Sequence, residues 1–210
     1  MTRKIVIAFL ILPALLLAGC IEFEERITLS KDGSGSLEIE YWSLSDLNFN
    51  DDMPDSSRDD RSLRESIEDK YTSDKVKLTE FTEEKEERSN HVRFKVVFDD
   101  LMDLNEVSQF HDNRIEFKLS NKKMTFRRTI EMEDINVDQD EGPSNLFEHF
   151  VLNLVEEGLS NIKFRFEIET PYDIAKTNAT FTPGDRRAVW KFKLSDVMYK
   201  NDVELTLETK

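Results

Sequence analysis

Cysteine occurs once in the 210 residues, at position 20. No disulfide can close within the chain, and cysteine-based metal clusters are excluded. Histidine is nearly as scarce. His91, His111 and His149 stand far apart, without the spacing of a zinc site. No G-x-S-x-G nucleophile elbow occurs. Gly33-Ser34-Gly35 is a G-x-G fragment between two strand patterns rather than at the start of a helix, so it reads as a hairpin turn. Beyond residue 20 no apolar run approaches the roughly 20 residues that span a bilayer. The five prolines and six glycines are too dispersed to make a linker, and no internal repeat divides the chain. Positive charge is in deficit: 29 basic against 44 acidic residues give a formal charge of −15. That balance excludes nucleic acid as an expected partner, because such affinity comes mainly from neutralising phosphates. It also repels anionic headgroups. A charged partner would have to be a basic protein, although acidity also keeps an exported protein soluble. Carboxylate pairs suited to acid–base work do not stand out among 44 acids, and no catalytic residue is expected.

What is present begins with a leader. Arg3 and Lys4 precede an apolar run from Ile5 to Leu17, then Ala18-Gly19-Cys20. This is the layout of a secretory signal. The run is short for a membrane span and is interrupted by Pro13. Leu17-Ala18-Gly19-Cys20 matches the bacterial lipobox, in which the thiol receives a diacylglycerol and cleavage between Gly19 and Cys20 leaves the cysteine first. Residues 1–19 are then a cleaved signal peptide and 20–210 a single lipoprotein domain. The covalent diacylglycerol and added acyl (palmitate-type) chain at Cys20 replace any cofactor. Each buried CH₂ contributes about 0.8 kcal/mol, and two or more chains suffice for stable anchoring. The thiol, once acylated, is no nucleophile. Removing Arg3 and Lys4 leaves 27 basic against 44 acidic residues, a formal charge of −17. Ile21, rather than Asp, beside the lipidated residue favours the outer membrane of a diderm; in a monoderm the outer face of the cytoplasmic membrane is expected.

The mature chain is patterned with period two, the mark of half-buried strands. Phe23, Glu25, Ile27 and Leu29 alternate with Glu22, Glu24, Arg26 and Thr28. A turn over Lys31–Gly35 leads to Leu37, Ile39 and Tyr41, a hairpin. Strands are also expected near Val76–Glu83, His91–Phe98, Ile115–Leu119, Met124–Met132, Ile162–Ile168, Ala188–Leu194 and Val203–Leu207. Residues 43–61 read as a flexible acidic loop. Leu63 and Ile67 mark a helix over Ser62–Tyr71, and Leu101, Leu104 and Val107 a short one. The strongest helical stripe is Leu146, Phe147, Phe150, Val151, Leu154 and Val155, capped by Ser144 and stopped by Gly158. The fold class expected is α+β: an antiparallel sheet built from hairpins, with two or three helices packed on one face.

Two acidic stretches begin like calcium loops and then fail. Asp46–Asp51 has Asp51 where glycine is required and Ser57 at the twelfth position; the stretch from Asp134 has Gln139 and Asn145 there. Both read as solvated turns. Asn178-Ala179-Thr180 is a formal glycosylation sequon, discounted because the lipobox argues for a bacterium. The helix stripe and the large side chains facing it suggest an apolar space between helix and sheet, lined by Phe147, Phe150, Phe164, Phe166, Trp190 and Phe192. The plainer reading of these residues is a packed core.

The lipobox cysteine, followed closely by a strand and Asp32-Gly33-Ser34-Gly35, resembles the LppM-type bacterial lipoprotein domain. So does the pattern Thr170-Pro171, Asn178, Gly184, Val189-Trp190-Phe192. The resemblance implies an α+β, envelope-exposed domain associated with lipid or glycolipid binding, and transfers no binding residue. The sequence thus leads to a membrane-anchored, non-enzymatic lipoprotein binding a lipid-like ligand. The alternative is an envelope scaffold binding a basic protein through its acidic surface.

Overall fold

Nine period-two patterns become strands, and a tenth joins them, among the residues that the computed structural model describes, which are 22–44, 62–85, 89–111, 113–131, 163–197 and 202–210. The leader with Gly19 and Cys20, most of the acidic loop, and the helix expected over Leu146–Val155 lie outside these residues. β1 (Glu22–Leu29) and β2 (Gly35–Leu44) form the first hairpin, with Phe23 opposite Tyr41 and Ile27 opposite Leu37. Its turn is held by Asp32 Oδ1, which accepts from the amide (3.1 Å) and hydroxyl (2.6 Å) of Ser34. β3 (Val76–Lys85) and β4 (Ser89–Phe98) form the second hairpin, and β4 lies antiparallel to β2. β7 (Lys163–Glu169) runs parallel to β1, and β9 (Arg187–Lys193) antiparallel to β7. The result is a six-stranded sheet ordered β3-β4-β2-β1-β7-β9. A second sheet has the order β5-β6-β10-β8, from β5 (Ile115–Ser120), β6 (Lys123–Glu131), β8 (Ile174–Thr177) and β10 (Asp202–Thr209). Asn121 and Lys122, at φ 50° and 66°, make the two-residue turn whose twist suits the β5–β6 hairpin.

The α+β expectation, one antiparallel sheet with helices packed on one face, is corrected by this architecture. The described residues are mostly strand, in two sheets, with only short helices. The cause is the apolar side of the β5, β6 and β10 strands. Met124, Phe126, Ile130, Leu205 and Leu207 join one buried cluster with Phe23, Ile27, Leu37, Ile39, Phe94 and Phe166 of the larger sheet. The second sheet thus does the covering assigned to helices. Nor is the large sheet wholly antiparallel, since β1 and β7 are parallel neighbours far apart in sequence, which local periodicity does not reveal.

The helices that do form follow local chemistry. α1 (Leu63–Tyr71) starts with a capping box. Ser62 Oγ accepts from Glu65 N (3.3 Å), and Glu65 Oε2 accepts from Ser62 N (2.7 Å). Its Ile67 and Tyr71 are buried, Tyr71 edge-on to Phe94 at 4.8 Å between ring centroids. The segment expected as a short helix is a 3₁₀ turn, Leu101–Glu106, capped by Asp100. Asn105 in that turn imitates a strand: Oδ1 accepts from Ile115 N (2.8 Å) and Nδ2 donates to Ile115 O (2.9 Å). α2 (Leu194–Val197) is a single turn after β9.

Asn178 ties the two sheets together. Its Oδ1 accepts from the Trp190 indole (2.7 Å) on β9 and from Thr206 N (2.9 Å) on β10, while Nδ2 donates to Glu204 O (2.8 Å). Thr170 closes the bend after β7, its hydroxyl 2.6 Å from Tyr172 O. Gly184, at φ 80°, makes the turn before β9. Most of the C-terminal pattern noted in the sequence therefore has a structural explanation.

Gly35 begins β2 where no side chain fits. A Cβ there would lie 2.1 Å from the Thr28 carbonyl oxygen and 3.0 Å from the Phe98 ring. Gly35→Ala is expected to destabilise the protein by about 2–3 kcal/mol, measured as a fall in urea midpoint at unchanged slope; an unchanged midpoint would contradict this packing.

Candidate functional site

Four of the six candidate lining residues meet. Phe164 and Phe166 on β7 lie opposite Phe192 and Trp190 on β9. The Phe192 ring stacks on Phe166 at 5.5 Å and tilts against Phe164 at 5.6 Å, and Phe23 of β1 completes the group at 6.1 and 6.2 Å from the two β7 rings. Phe164, Phe166 and Trp190 are buried and Phe192 half-buried. Phe147 and Phe150, assigned to the opposite wall, lie outside the described residues, as do Gly19 and Cys20.

A groove of about 310 Å³ opens beside this cluster, at the end of the sheet where β1 begins. Phe164 and Phe192 contribute to its lining; Lys163, Arg165, Lys191 and Lys193 bring positive charge, and Glu22, Glu24 and Asp196 negative. Lys163 pairs with Glu22 (3.1 Å) and Arg165 with Glu24 (3.8 Å). The volume is at the small end for a ligand pocket. A second groove of about 320 Å³ crosses β5, β6 and β10 over Phe117, Phe126 and Leu207, away from the aromatic group.

Beneath the cluster lies a feature that the sequence reading passed over. Glu25 sits on β1 among Phe23, Ile27 and Leu29, and Arg128 on β6 among Phe126 and Ile130, each at an inward position. They meet as an ion pair between the sheets, Arg128 Nη1 donating to Glu25 Oε1, with both side chains only 5% exposed. The guanidinium also lies against two rings, 4.8 Å from the Phe110 centroid and 5.5 Å from that of Phe166. Arg128 Nε is buried without a hydrogen-bond partner. The signal was present: a charge at inward parity in an otherwise apolar strand is one of the few informative departures from binary patterning.

The outer face of the large sheet is covered by cross-strand ion pairs. Arg93 binds Glu38 at 2.7 Å, and His91 Nε2 lies 2.8 Å from Glu40 with its ring stacked on Trp42. Glu167, nearly inaccessible, accepts from Arg165 and is approached by Arg26 (3.2 Å) and Arg187 (3.4 Å). Such ladders satisfy a wet face at modest energetic gain. Among the described residues no group of three or more His, Cys, Asp or Glu is placed to hold a metal. Both incomplete calcium loops and His149 lie outside the described residues.

Tyr71 lies near the buried pair, and Tyr41 is buried in the same core. Burial pushes the hydroxyl pKa of Tyr71 well above its ordinary value, and the nearby Glu25 carboxylate adds to the rise. Tyr41 is raised by burial, then by Glu83. A raised native pKa means that the unfolded state loses its proton first. Stability from these groups is intact below about pH 10 and declines as pH climbs toward the native values. Tyrosinate absorbance from Tyr41 and Tyr71 should accordingly appear only together with loss of β-sheet circular dichroism; titration of either near pH 10 in the folded protein would contradict the burial.

Comparison with known proteins adds three findings. A family model described as LIC11874-like matches residues 15–206, a span that includes Leu17–Cys20. No curated protein matches the chain. Among solved structures, the folded domain of LppM from Mycobacterium tuberculosis, determined by NMR, is similar at 12% identity over 90% of this chain and 89% of that one, with a TM-score of 0.45.

Proposed function

We propose, for a chain that belongs to the LIC11874-like family, a lipid-anchored envelope protein without enzymatic activity that binds a lipid-like ligand at the β7–β9 aromatic cluster. The observation carrying this reading is the groove that reaches Phe164 and Phe192 at the end of the sheet where β1 starts. Cys20 precedes Glu22 by two residues, and two residues of extended chain reach about 7 Å. An acylated Cys20 holds the groove within a headgroup layer of the bilayer, where an acyl chain has a short path to the aromatic rings. The resemblance to LppM-type lipoproteins belongs to the same reading. Among the described residues no helix is long and apolar enough to cross a membrane, and the acyl chains supply the attachment.

A second reading rests on a different observation. The rings of Phe23, Phe164, Phe166 and Phe192 already touch one another, as in a filled interior. A scaffold that meets a basic protein through its acidic surface needs no cavity.

The chain from residue 21 onward contains every strand pairing and core residue among those described, so it serves for the test. Mass spectrometry of a solvent extract of residues 21–210 should show a stoichiometric lipid, reduced by Phe192→Ala. A clean extract, with no uptake on incubation with envelope lipids, contradicts the carrier and favours the scaffold. Separately, the N-terminal peptide of the full protein recovered from membranes should carry diacylglycerol on Cys20; an unmodified cysteine contradicts the anchor.

A further inference from the structure

We propose that Arg128 is the headgroup site of an acidic amphiphile, with Glu25 occupying the anion position while the protein is empty. This deepens the carrier reading and rests on it. Arg128 is 5% exposed, yet its Nε has no hydrogen-bond partner. Five N–H donors of a guanidinium suit a two-oxygen anion, and Glu25 is bonded to Nη1. A buried pair of this kind is seldom more stable than apolar residues of similar volume. Packing alone therefore does not require a charge here.

The position connects to the groove. Arg128 lies 5.5 Å from the centroid of Phe166, Phe166 stacks on Phe192 at 5.5 Å, and Phe192 contributes to the groove lining. Arg128 and Phe166 do not themselves line the groove, so the Phe166 and Phe192 rings must swing aside to admit the ligand to the guanidinium. The tail of the ligand takes the place of aromatic contacts, and its acidic head replaces the Glu25 carboxylate on Arg128. The ligand enters as the neutral acid and leaves its proton on Glu25, so that one anion still faces Arg128 and the displaced Glu25 is uncharged. A fatty-acid carboxylate and a lysophospholipid phosphate share the required chemistry.

The test uses residues 21–210, a fluorescent long-chain fatty acid, its neutral methyl ester, and lysophosphatidic acid as competitor. Wild type should bind the acid more tightly than the ester by about tenfold to a hundredfold, the range of a charge-assisted hydrogen bond. The paired substitution Glu25→Leu with Arg128→Met removes both charges, keeps volume, and should fold as judged by circular dichroism. It should bind acid and ester alike. Competition by lysophosphatidic acid assigns the site to phosphate as well as carboxylate; its failure confines the ligand to carboxylates. Equal binding of acid and ester by wild type, or a preference that survives in the folded double variant, overturns the role of Arg128 while leaving the carrier in place. Binding of neither probe by wild type overturns both.

Discussion

A carboxylate on β1 and a guanidinium on β6 occupy inward positions that the alternation of their strands reserves for apolar side chains, and each is tolerable only opposite the other. Glu25 would be an isolated anion in the core if the four-stranded sheet were absent or shifted, and Arg128 an isolated cation. An ion left unpaired in a dry interior costs several kcal/mol after relaxation. A one-residue slip of β6 would turn its charge outward and its polar residues inward. The pair matches one facing of the two sheets, the one in which position 25 of β1 meets position 128 of β6. The rings of Phe110 and Phe166 on the guanidinium, and Tyr71 beside the pair, complete the environment that makes the burial bearable.

Around that constraint the sheets divide the work. The faces between them pool one apolar cluster, while the outer face of the larger sheet is covered by ion pairs such as Arg93–Glu38 and the arginines around Glu167. A formal charge of −15 is therefore compatible with a locally mixed surface. The groove at the start of β1 carries four basic residues among its lining. Total charge describes solubility and long-range repulsion; it is a poor guide to the chemistry of a particular recess.

The hairpins were legible in the sequence because each is specified locally: alternation in Phe23–Leu29 and Leu37–Tyr41, and the Asp32–Gly35 turn between them. The same holds for α1, read from Leu63 and Ile67 at helical spacing; its capping box of Ser62 and Glu65 is a finding of the structure. Assignment of strands to sheets was not legible, because β1 pairs with β7 across 141 positions at Glu22 and Lys163, and no local rule encodes that choice. β8 escaped notice because Ile174–Thr177 is four residues long and alternates only weakly. The aromatic side of the site, Phe164 to Phe192, was read from strand parity. Its ionic centre was not, although Glu25 stood in plain view among Phe23, Ile27 and Leu29; period-two reading absorbs one exception too easily. Asn178 and Trp190, noticed as part of a pattern, acquire a physical reason only through the hydrogen bond between them.

The most direct test of the account is a double-mutant cycle on stability at Glu25 and Arg128. Glu25→Leu and Arg128→Met alone should each destabilise by about 3–5 kcal/mol, because each leaves its former partner buried and unpaired. The double variant should return to within about 1–2 kcal/mol of wild type, or exceed it. Single effects that are small, or that add in the double variant, would show that Glu25 and Arg128 are not coupled and that the packing of the two sheets does not depend on the pair.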